Sequence, residues 1–232
     1  MVVLLAVFFL LFTGASYYSD EAVQLKNDIG KAFCPFQLDT VCSNVREHKT
    51  WEEHIQTEFE KYVRPGDTVI DAGAYVGIHT LKLSKLVGPS GTVHAFEPDP
   101  GTFAVLKRNI ESNDIQNVKL YNVGLGDSGG NIKISMAIDE NRGATQWVYA
   151  PDGDVNVITI DSLGLEKLDF IKIDVEGMEQ KVFTGMRETI QKFRPRILFE
   201  SFPGNKSANY EILIGEHKYT INNISHDDYI AF

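Results

Sequence analysis

The strongest structural signal in the chain is the segment Thr68-Val-Ile-Asp71-Ala-Gly73-Ala-Tyr-Val-Gly77. It begins as a short apolar strand, and the apolar residues that follow it as far as Val87 have the spacing of a helix packed on a sheet. Gly73 permits a sharp turn from strand to helix, and Gly77 lets the backbone approach a ligand closely. The segment therefore predicts the first strand, turn and helix of a nucleotide-binding α/β domain.

Similar units extend on both sides of this segment. Before it, apolar residues recur at helical spacing over residues 51–63, and Pro65-Gly66 ends that helix. Strands are predicted at residues 68–71, 91–97, 117–123, 169–174 and 196–202. An insertion with β-like runs spans residues 129–161, and short β candidates lie at residues 219–221 and 229–232. Strands that alternate with helices predict an α/β, Rossmann-like fold, in which a mostly parallel sheet has helices on both faces. Ligands of such sheets bind at the carboxyl ends of the strands.

The glycine pattern distinguishes between two classes of cofactor. The D-x-G-x-x-x-G spacing lacks the third glycine of the G-x-G-x-x-G motif, which places a helix N-terminus against a pyrophosphate. S-adenosylmethionine has no phosphate, and the Asp71 carboxylate suits the neighbourhood of its positively charged groups. Glu97 ends the second strand, where an acidic residue of a βαβ unit accepts hydrogen bonds from ribose hydroxyls. Asp71, Gly73, Gly77 and Glu97 are therefore candidate S-adenosylmethionine ligands, although an ordinary βα turn would explain the glycines alone.

A second acidic motif, Lys172-Ile-Asp174-Val-Glu176-Gly177, follows the fourth strand. Asp174 and Glu176 are two residues apart, so in an extended chain their side chains point the same way. Two such carboxylates can orient an acceptor hydroxyl and take its proton, and they can also bind a divalent metal, which the sequence does not require. We predict Asp174 and Glu176 as catalytic residues, with helix capping as the alternative for Glu176. Glu200 is another acid near the same edge.

Other candidate residues are better explained by structural roles. His79 lies on the first helix of the domain, where packing or solvation is the favoured interpretation. Asp127 can accept an adenine amino proton, but Asp127-Ser-Gly-Gly130 is more typical of a turn between two strands. The loop Asn141-Arg-Gly-Ala-Thr145 lies within the insertion and is placed to touch a substrate.

The charge balance argues against a nucleic-acid substrate. The 232 residues include 32 acidic and 22 basic side chains, for a net charge of −10. Affinity for nucleic acids comes largely from Lys and Arg side chains that displace counterions from phosphates. We therefore predict a small-molecule or glycan acceptor and no nucleic acid.

The N-terminal segment predicts a location in the secretory pathway. Residues 1–19 carry no charged side chain, and they fit a signal peptide, a membrane anchor or, less well, a helix buried in the fold.

Residues 20–50 read as a connector with one short helix, and residues 51–232 as the main domain. Cys34 and Cys42 can close a small loop in an oxidising lumen. Asn205-Lys-Ser and Asn223-Ile-Ser match the glycosylation pattern. Membrane association through the leader remains open, and the sequence does not indicate an oligomeric state.

These motifs, taken together, resemble those of the FkbM family of methyltransferases. The resemblance covers residues 51–201 and includes Pro65-Gly-Asp67, the glycine loop, Phe96-Glu-Pro98, Thr159-Ile-Asp-Ser-Leu163 and residues 172–177, in the family's order. It implies a class I methyltransferase fold with seven strands, the last antiparallel, and transfer of a methyl group to oxygen, commonly on sugar or polyketide hydroxyls. The hydrophobic leader departs from many soluble members of the family.

The combined prediction is an S-adenosylmethionine-dependent O-methyltransferase that acts on a hydroxyl of a glycan or glycoconjugate within a secretory compartment. Two alternatives belong to other classes: a nicotinamide-dependent oxidoreductase, and a secreted binding module that keeps the fold without catalysis. The missing third glycine argues against the first, and the presence of Asp71, Glu97 and Asp174 together argues against the second.

Overall fold

A computed structural model describes residues 21–138, 140–201, 204, 209 and 211–232 of the chain. The elements in chain order are β1 (Ala22–Gln24), β2 (Lys31–Phe33), α1 (Thr40–His48), α2 (Glu53–Tyr62), β3 (Thr68–Ala72), α3 (Ile78–Val87), β4 (Thr92–Phe96), α4 (Pro100–Glu111), β5 (Val118–Tyr121), β6 (Gly124–Leu125), β7 (Gly130–Met136), β8 (Gln146–Tyr149), β9 (Val155–Ile158), β10 (Phe170–Ile173), α5 (Glu179–Thr184), α6 (Arg187–Phe193), β11 (Arg196–Glu200), a π-helix (Glu211–Glu216), β12 (Ile221–Ser225) and β13 (Asp228–Ala231).

The central sheet has seven strands in the order β12-β13-β11-β10-β3-β4-β5. Within it, β13 runs antiparallel to both of its neighbours, whereas β11, β10, β3, β4 and β5 are parallel. The winding reverses between β3 and β10, so the carboxyl ends of these two strands flank the position where α/β sheets bind ligands. The class I fold and the antiparallel strand that the family resemblance implies are confirmed.

Alternating side chains of the central strands bury both faces of the sheet. Ile70 and Ile171 face a core with α5 and α6, whereas Val69 and Phe170 face a second core with α2 and α3. This is the two-residue period of a strand covered by helices on both sides. The sheet is therefore a rigid base from which loops at the carboxyl ends project.

The helix predicted after residue 177 is two helices, α5 and α6. They separate at Gly185, where an added Cβ would lie 1.9 Å from the carbonyl oxygen of Gly126, so backbone meets backbone there. The first turn of α6 is held by Asp161, whose carboxylate accepts hydrogen bonds from the backbone N–H groups of Glu188 and Thr189. This gives the Thr159–Leu163 motif a structural role.

The insertion forms a separate four-stranded sheet in the order β6-β9-β7-β8. Its strands β7 and β9 match the β-like runs of the sequence, and the turn predicted at Asp127 lies between β6 and β7. Asp127 is 3.5 Å from the ammonium of Lys181, which supports the turn interpretation rather than a contact with adenine.

The segment expected to be a connector is more structured than the sequence suggests. β1 and β2 form an antiparallel hairpin, and the following α1 is joined to it by a Cys34–Cys42 disulfide. Buried apolar residues of this segment share one core with α3 and α4. The buried side chain of Asn109 on α4 makes hydrogen bonds with both backbone groups of Phe33. Residues 22–48 are thus part of the domain.

Some predictions lie outside the described residues, namely the leader at residues 1–19 and the glycosylation pattern at Asn205. Asn223 lies on β12, where its backbone is in the edge strand of the central sheet. Among the described residues, no helix is long and apolar enough to cross a membrane.

Candidate active site

The loop between β3 and α3 passes close against the end of β10. Gly73 has a φ of +79°, and a Cβ at this position would lie 1.7 Å from the carbonyl oxygen of Asp174. Only glycine allows that conformation and that contact together. Gly77 has a φ of +90° and precedes α3, and a Cβ there would lie 2.6 Å from the side chain of Leu106. The two glycines therefore hold the loop against β10 and α4.

Asp71 lies beneath this loop and is fully buried. Its Oδ2 accepts a 2.6 Å hydrogen bond from the hydroxyl of Thr80, and its Oδ1 is 3.7 Å from the ammonium of Lys172. Asp71 is not among the described residues that line the cavities above the sheet. In the structure Asp71 supports the loop through Thr80 and lies beside Lys172, and its place near the positive groups of the cofactor stays a prediction.

Glu97 fixes the same loop from the other side. Its Oε2 accepts a hydrogen bond from the backbone N–H of Tyr75 at 3.0 Å, and its Oε1 accepts one from that of Asp99 at 2.9 Å. Burial raises the pKa of Glu97 to about 8 despite these hydrogen bonds. Each carboxylate oxygen retains a further lone pair, so Glu97 can still accept hydrogen bonds from ligand hydroxyls. Asp99 caps α4 through the N–H of Thr102, as its sequence position predicts.

Two adjoining cavities open at the carboxyl ends of β3, β4 and β10. Their empty volumes, which include open solvent at the mouths, are about 580 and 770 Å³. The first has a mainly apolar floor that includes Phe96, Leu125, Ile132 and Met178. The second is bordered by the start of α3 and by several acidic groups. Both share a boundary formed by Gly73, Tyr75, Glu97, Gly143, Asp174 and Glu176.

Three carboxylates meet in the wall of the second cavity, two of them on its boundary with the first. Asp174, Glu176 and Glu200 each offer an oxygen within 4.8 Å of the others. Burial, reinforced by the neighbouring negative charges, raises the pKa of Glu176 to about 8 and that of Glu200 to about 9. The predicted pair Asp174 and Glu176 is therefore brought together, and Glu200 joins it from β11.

Glu176 does not cap the following helix. It has a φ of +52°, and α5 begins three residues later at Glu179, whose own carboxylate accepts a hydrogen bond from the N–H of Gly177. The side chain of Glu176 is thus free of the capping role and lines both cavities. This removes the structural alternative for Glu176.

Hard oxygen donors in this cluster fit Mg²⁺ or Ca²⁺ in chemical type. However, Lys172 lies 3.1 Å from Asp174, so its ammonium already neutralises one of the three carboxylates. The arrangement is compatible with a divalent metal but contains a cation of its own, and nothing in the geometry requires a metal.

Lys172 is a site residue that sequence reasoning missed. Its buried ammonium is hydrogen-bonded to the carbonyl of Gly73 at 3.2 Å and to Asp174 at 3.1 Å, in addition to its approach to Asp71. Burial lowers the pKa of Lys172, but the charges of Asp174 and Asp71 outweigh this effect and raise it overall. It lies directly opposite Asp71 in the sheet register, a pairing between strands that the sequence alone does not report.

His79 has the packing role that the sequence favours. Its ring stands edge-on to Phe59 with ring centres 5.3 Å apart, and its Nε2 is 3.0 Å from Glu52. Burial raises the pKa of Glu52, but the hydrogen bond with His79 and nearby positive charges lower it overall. His79 and Glu52 both border the second cavity.

A roof over the cavities is built from two distant parts of the chain. The loop at residues 141–145 contributes Asn141, Arg142, Gly143 and Thr145 to the cavity walls, and α1 contributes Val41. The Asp39 carboxylate joins the two parts, because it accepts hydrogen bonds from the backbone N–H groups of Cys42 and Arg142. Thr40 adds hydrogen bonds from its backbone N–H and hydroxyl to the carbonyl of Glu140. The predicted proximity of the loop to a substrate site is thus supported by its place in the wall.

Comparison with solved structures supports the fold. The chain is similar to a methyltransferase FkbM from Methylobacillus flagellatus, with a TM-score of 0.52, 16% identity and coverage of 76% of this chain and 50% of that one. It is also similar to a precorrin-6y C5,15-methyltransferase from Geobacter metallireducens, with a TM-score of 0.50, 15% identity and coverage of 78% and 89%. At these identities the likeness concerns the fold alone.

Sequence comparison gives relatives with named activities. The 31-O-demethyl-FK506 methyltransferase FkbM of Streptomyces tacrolimicus is 51% identical over 162 residues, covering 54% of this chain and 62% of the relative. The 2-O-methyltransferase NoeI of Sinorhizobium fredii is 27% identical over 154 residues, covering 56% and 62%. The hexuronic acid methyltransferase AglP of Haloferax volcanii is 29% identical over 131 residues, covering 54% and 52%. The chain thus spans between half and two thirds of the length of these relatives.

A family model provides the assignment. The model of the methyltransferase FkbM domain matches residues 71–228, which contain the glycine loop, Glu97 and the acidic cluster. The match is to a methyltransferase domain, so the alternative prediction of a nicotinamide-dependent oxidoreductase is wrong. The chain belongs to the FkbM family of S-adenosylmethionine-dependent methyltransferases.

Proposed function

We propose that this chain transfers a methyl group from S-adenosylmethionine to a hydroxyl of a glycan or glycoconjugate in a secretory compartment. The observation that carries the proposal is the position of Glu97, Asp174 and Glu176 on the boundary of two adjoining cavities, with Glu200 beside them in the wall of the second. The first cavity has the apolar floor that suits a nucleoside, and the carboxylates at the boundary of the two cavities, below the loop at residues 141–145, suit a hydroxylated acceptor.

Glu97 is the ribose-binding group in this proposal. It is buried at the end of β4, and its carboxylate is oriented by the N–H groups of Tyr75 and Asp99. A carboxylate held in this way can accept hydrogen bonds from two hydroxyls without reorganisation. The neighbouring apolar residues Phe96, Leu125 and Met178 then supply the surface for the base.

The acidic cluster is the reaction centre. When bound, S-adenosylmethionine supplies the methyl group and a positively charged sulfur that leaves as a neutral thioether. Asp174 receives the proton of the acceptor hydroxyl as the oxygen attacks, a role that contributes typically 10²–10⁴ in rate. Lys172, at 3.1 Å, fixes the orientation of Asp174, and Glu176 and Glu200 confine the acceptor beside it.

The names of the relatives support an oxygen acceptor, because FkbM and NoeI are named for transfer to 31-O and 2-O positions and AglP for hexuronic acid. The disulfide between Cys34 and Cys42 supports an oxidising compartment, since such bonds are rare in reducing cytosol. The charge-free leader at residues 1–19 supports the same location.

The test is to supply S-adenosylmethionine with a labelled methyl group together with crude glycan, lipid and protein fractions. We expect label in material that glycosidases release, and none with Asp174→Asn. Label that is confined to polypeptide would contradict the glycan acceptor. If the chain binds S-adenosylhomocysteine but no fraction gains label, the non-catalytic binding module becomes the better account.

A further inference from the structure

The roof of the cavities presents one arginine in a fixed position. The backbone N–H of Arg142 donates a 2.9 Å hydrogen bond to Asp39, and its carbonyl accepts hydrogen bonds from the N–H and the hydroxyl of Thr145. Its guanidinium lies over the ring of Phe36, 4.7 Å from the ring centre. The backbone of Arg142 is therefore held by hydrogen bonds, and its guanidinium is packed on Phe36, before a ligand binds.

Within the part of the chain that the structure describes, the guanidinium of Arg142 differs from the other basic groups of the cavity walls in having no anionic partner. Lys172 is engaged by Asp71 and Asp174, and His79 is engaged by Glu52. Among the described residues, neither an ion pair nor a side-chain hydrogen bond is made by the Arg142 guanidinium. Arg142 belongs to the wall of the first cavity, and its positive charge acts to lower the pKa of Tyr75, which burial raises, so the guanidinium lies near a residue that lines both cavities.

The chemistry of such a ligand follows from the geometry of the group. A guanidinium offers parallel N–H donors that match the two oxygens of a carboxylate or phosphate. The sheet side of the same cavity carries the carboxyl groups of Asp174 and Glu176, which accept hydrogen bonds from hydroxyls, and the described wall of this cavity contains no cationic side chain besides Arg142. A ligand with both a hydroxyl and an oxyanion would therefore place its anion toward the roof and its hydroxyl toward the carboxylates.

We propose that Arg142 binds an oxyanion of the acceptor, so that this enzyme methylates a hydroxyl of an acidic sugar. This inference rests on the proposed function and specifies the acceptor class. Arg142 is then a specificity-determining residue, contributed by the insertion rather than by the catalytic sheet.

The carboxylate of S-adenosylmethionine is the other anion that enters this site, but a separate position suits it. The start of α3, at Gly77, Ile78 and His79, borders the second cavity. The N-terminus of a helix attracts carboxylates through its free N–H groups and its dipole. Arg142 lies in the wall of the first cavity and the α3 terminus in that of the second, so the two anions are separated.

The experiment measures binding to the full chain loaded with S-adenosylhomocysteine. The probes are a methyl hexuronoside, the matched neutral methyl hexoside and the methyl hexoside 6-phosphate, and affinities are taken from ligand-observed NMR titrations. We expect the hexuronoside or the phosphate to bind at least tenfold more tightly than the neutral sugar. Arg142→Met should weaken the preferred anion by about tenfold to a hundredfold, the usual effect of a charge-assisted pair, and leave the neutral sugar unchanged.

Two variants serve as controls. Arg142→Lys keeps the charge without the planar fork, and its affinity for the preferred anion should lie between those of wild type and Arg142→Met. Lys133→Met removes a positive charge from the same insertion, at a residue paired with Asp152 on the surface. It should leave the affinities for all three probes unchanged. The two anionic probes distinguish a carboxylate from a phosphate as the natural group.

Equal affinity of wild type for charged and neutral sugars would overturn the proposal, as would equal losses for both in Arg142→Met. A loss of S-adenosylhomocysteine affinity in Arg142→Met would assign the arginine to the cofactor and overturn it too. Failure of the proposed function has a different signature, because wild type itself would then not bind S-adenosylhomocysteine.

Discussion

Binding of the positively charged cofactor should release a proton from Glu176. Burial and the adjacent Asp174 charge raise the pKa of Glu176 to about 8, and its side chain lines both cavities. At pH 7 a group with this pKa is about 90% protonated. A sulfonium that arrives nearby favours the charged carboxylate, so the proton leaves as the cofactor binds.

The size of the effect follows from Coulomb's law. A unit charge roughly 5 Å away at an effective dielectric constant of about 20 contributes about 3.3 kcal/mol, or about 2.4 pKa units. The pKa of Glu176 would then fall to about 5.5, and close to 0.9 proton would be released at pH 7. Affinity for S-adenosylmethionine should accordingly rise with pH, by up to about tenfold per unit between roughly pH 5.5 and 8, and then level off.

Calorimetry in buffers of different ionisation enthalpy measures this proton directly. Binding of S-adenosylhomocysteine, which lacks the sulfonium charge, should release a much smaller fraction of a proton than binding of S-adenosylmethionine. Glu176→Gln should remove most of the difference between the two ligands. Equal proton release by both ligands, or an unchanged difference in Glu176→Gln, would show that the sulfonium does not lie beside Glu176.

Three further predictions concern other residues. Glu97→Gln places an amide against the N–H donors of Tyr75 and Asp99, so product affinity should fall by about 1–3 kcal/mol in calorimetry; unchanged affinity would remove Glu97 from the cofactor site. Asp174→Asn should lower kcat by about 10²–10⁴ and leave product affinity nearly unchanged; collapse of affinity with surviving turnover would make it a cofactor ligand instead. Replacing Cys34 and Cys42 together with serine should lower the free energy of unfolding by about 2–3 kcal/mol, from the loop-closure entropy of a separation of 8 residues. An unchanged midpoint in urea would contradict this.

Features that depend on residues close together in the chain were predictable from the sequence. The strands of the sheet followed from short apolar runs between turn residues, and Asp99 was identifiable as a helix cap from its position before Pro100. The ends of β3, β4 and β10 were predictable as the site because the carboxyl ends of parallel strands share an edge. Glu97, Asp174 and Glu176 were found for that reason.

Features that depend on contacts between distant residues were not visible in the sequence. The pairing of Lys172 with Asp71 depends on the register of β10 against β3, which no local signal reports. The bond between Asp39 and Arg142 spans 103 positions. The break between α5 and α6 depends on the backbone of Gly126 reaching Gly185, a contact that no local pattern reports.

The divided roof affects how this protein can be engineered and how it can diversify. Asp39 uses one oxygen to begin α1 and the other to hold the loop at Arg142, so the two halves of the roof are matched to each other. An insertion transplanted from a relative would arrive without its counterpart in the N-terminal segment and would lose this connection. Chimeras should therefore exchange residues 34–42 and 140–145 as a pair, leaving the sheet and its carboxylates in place.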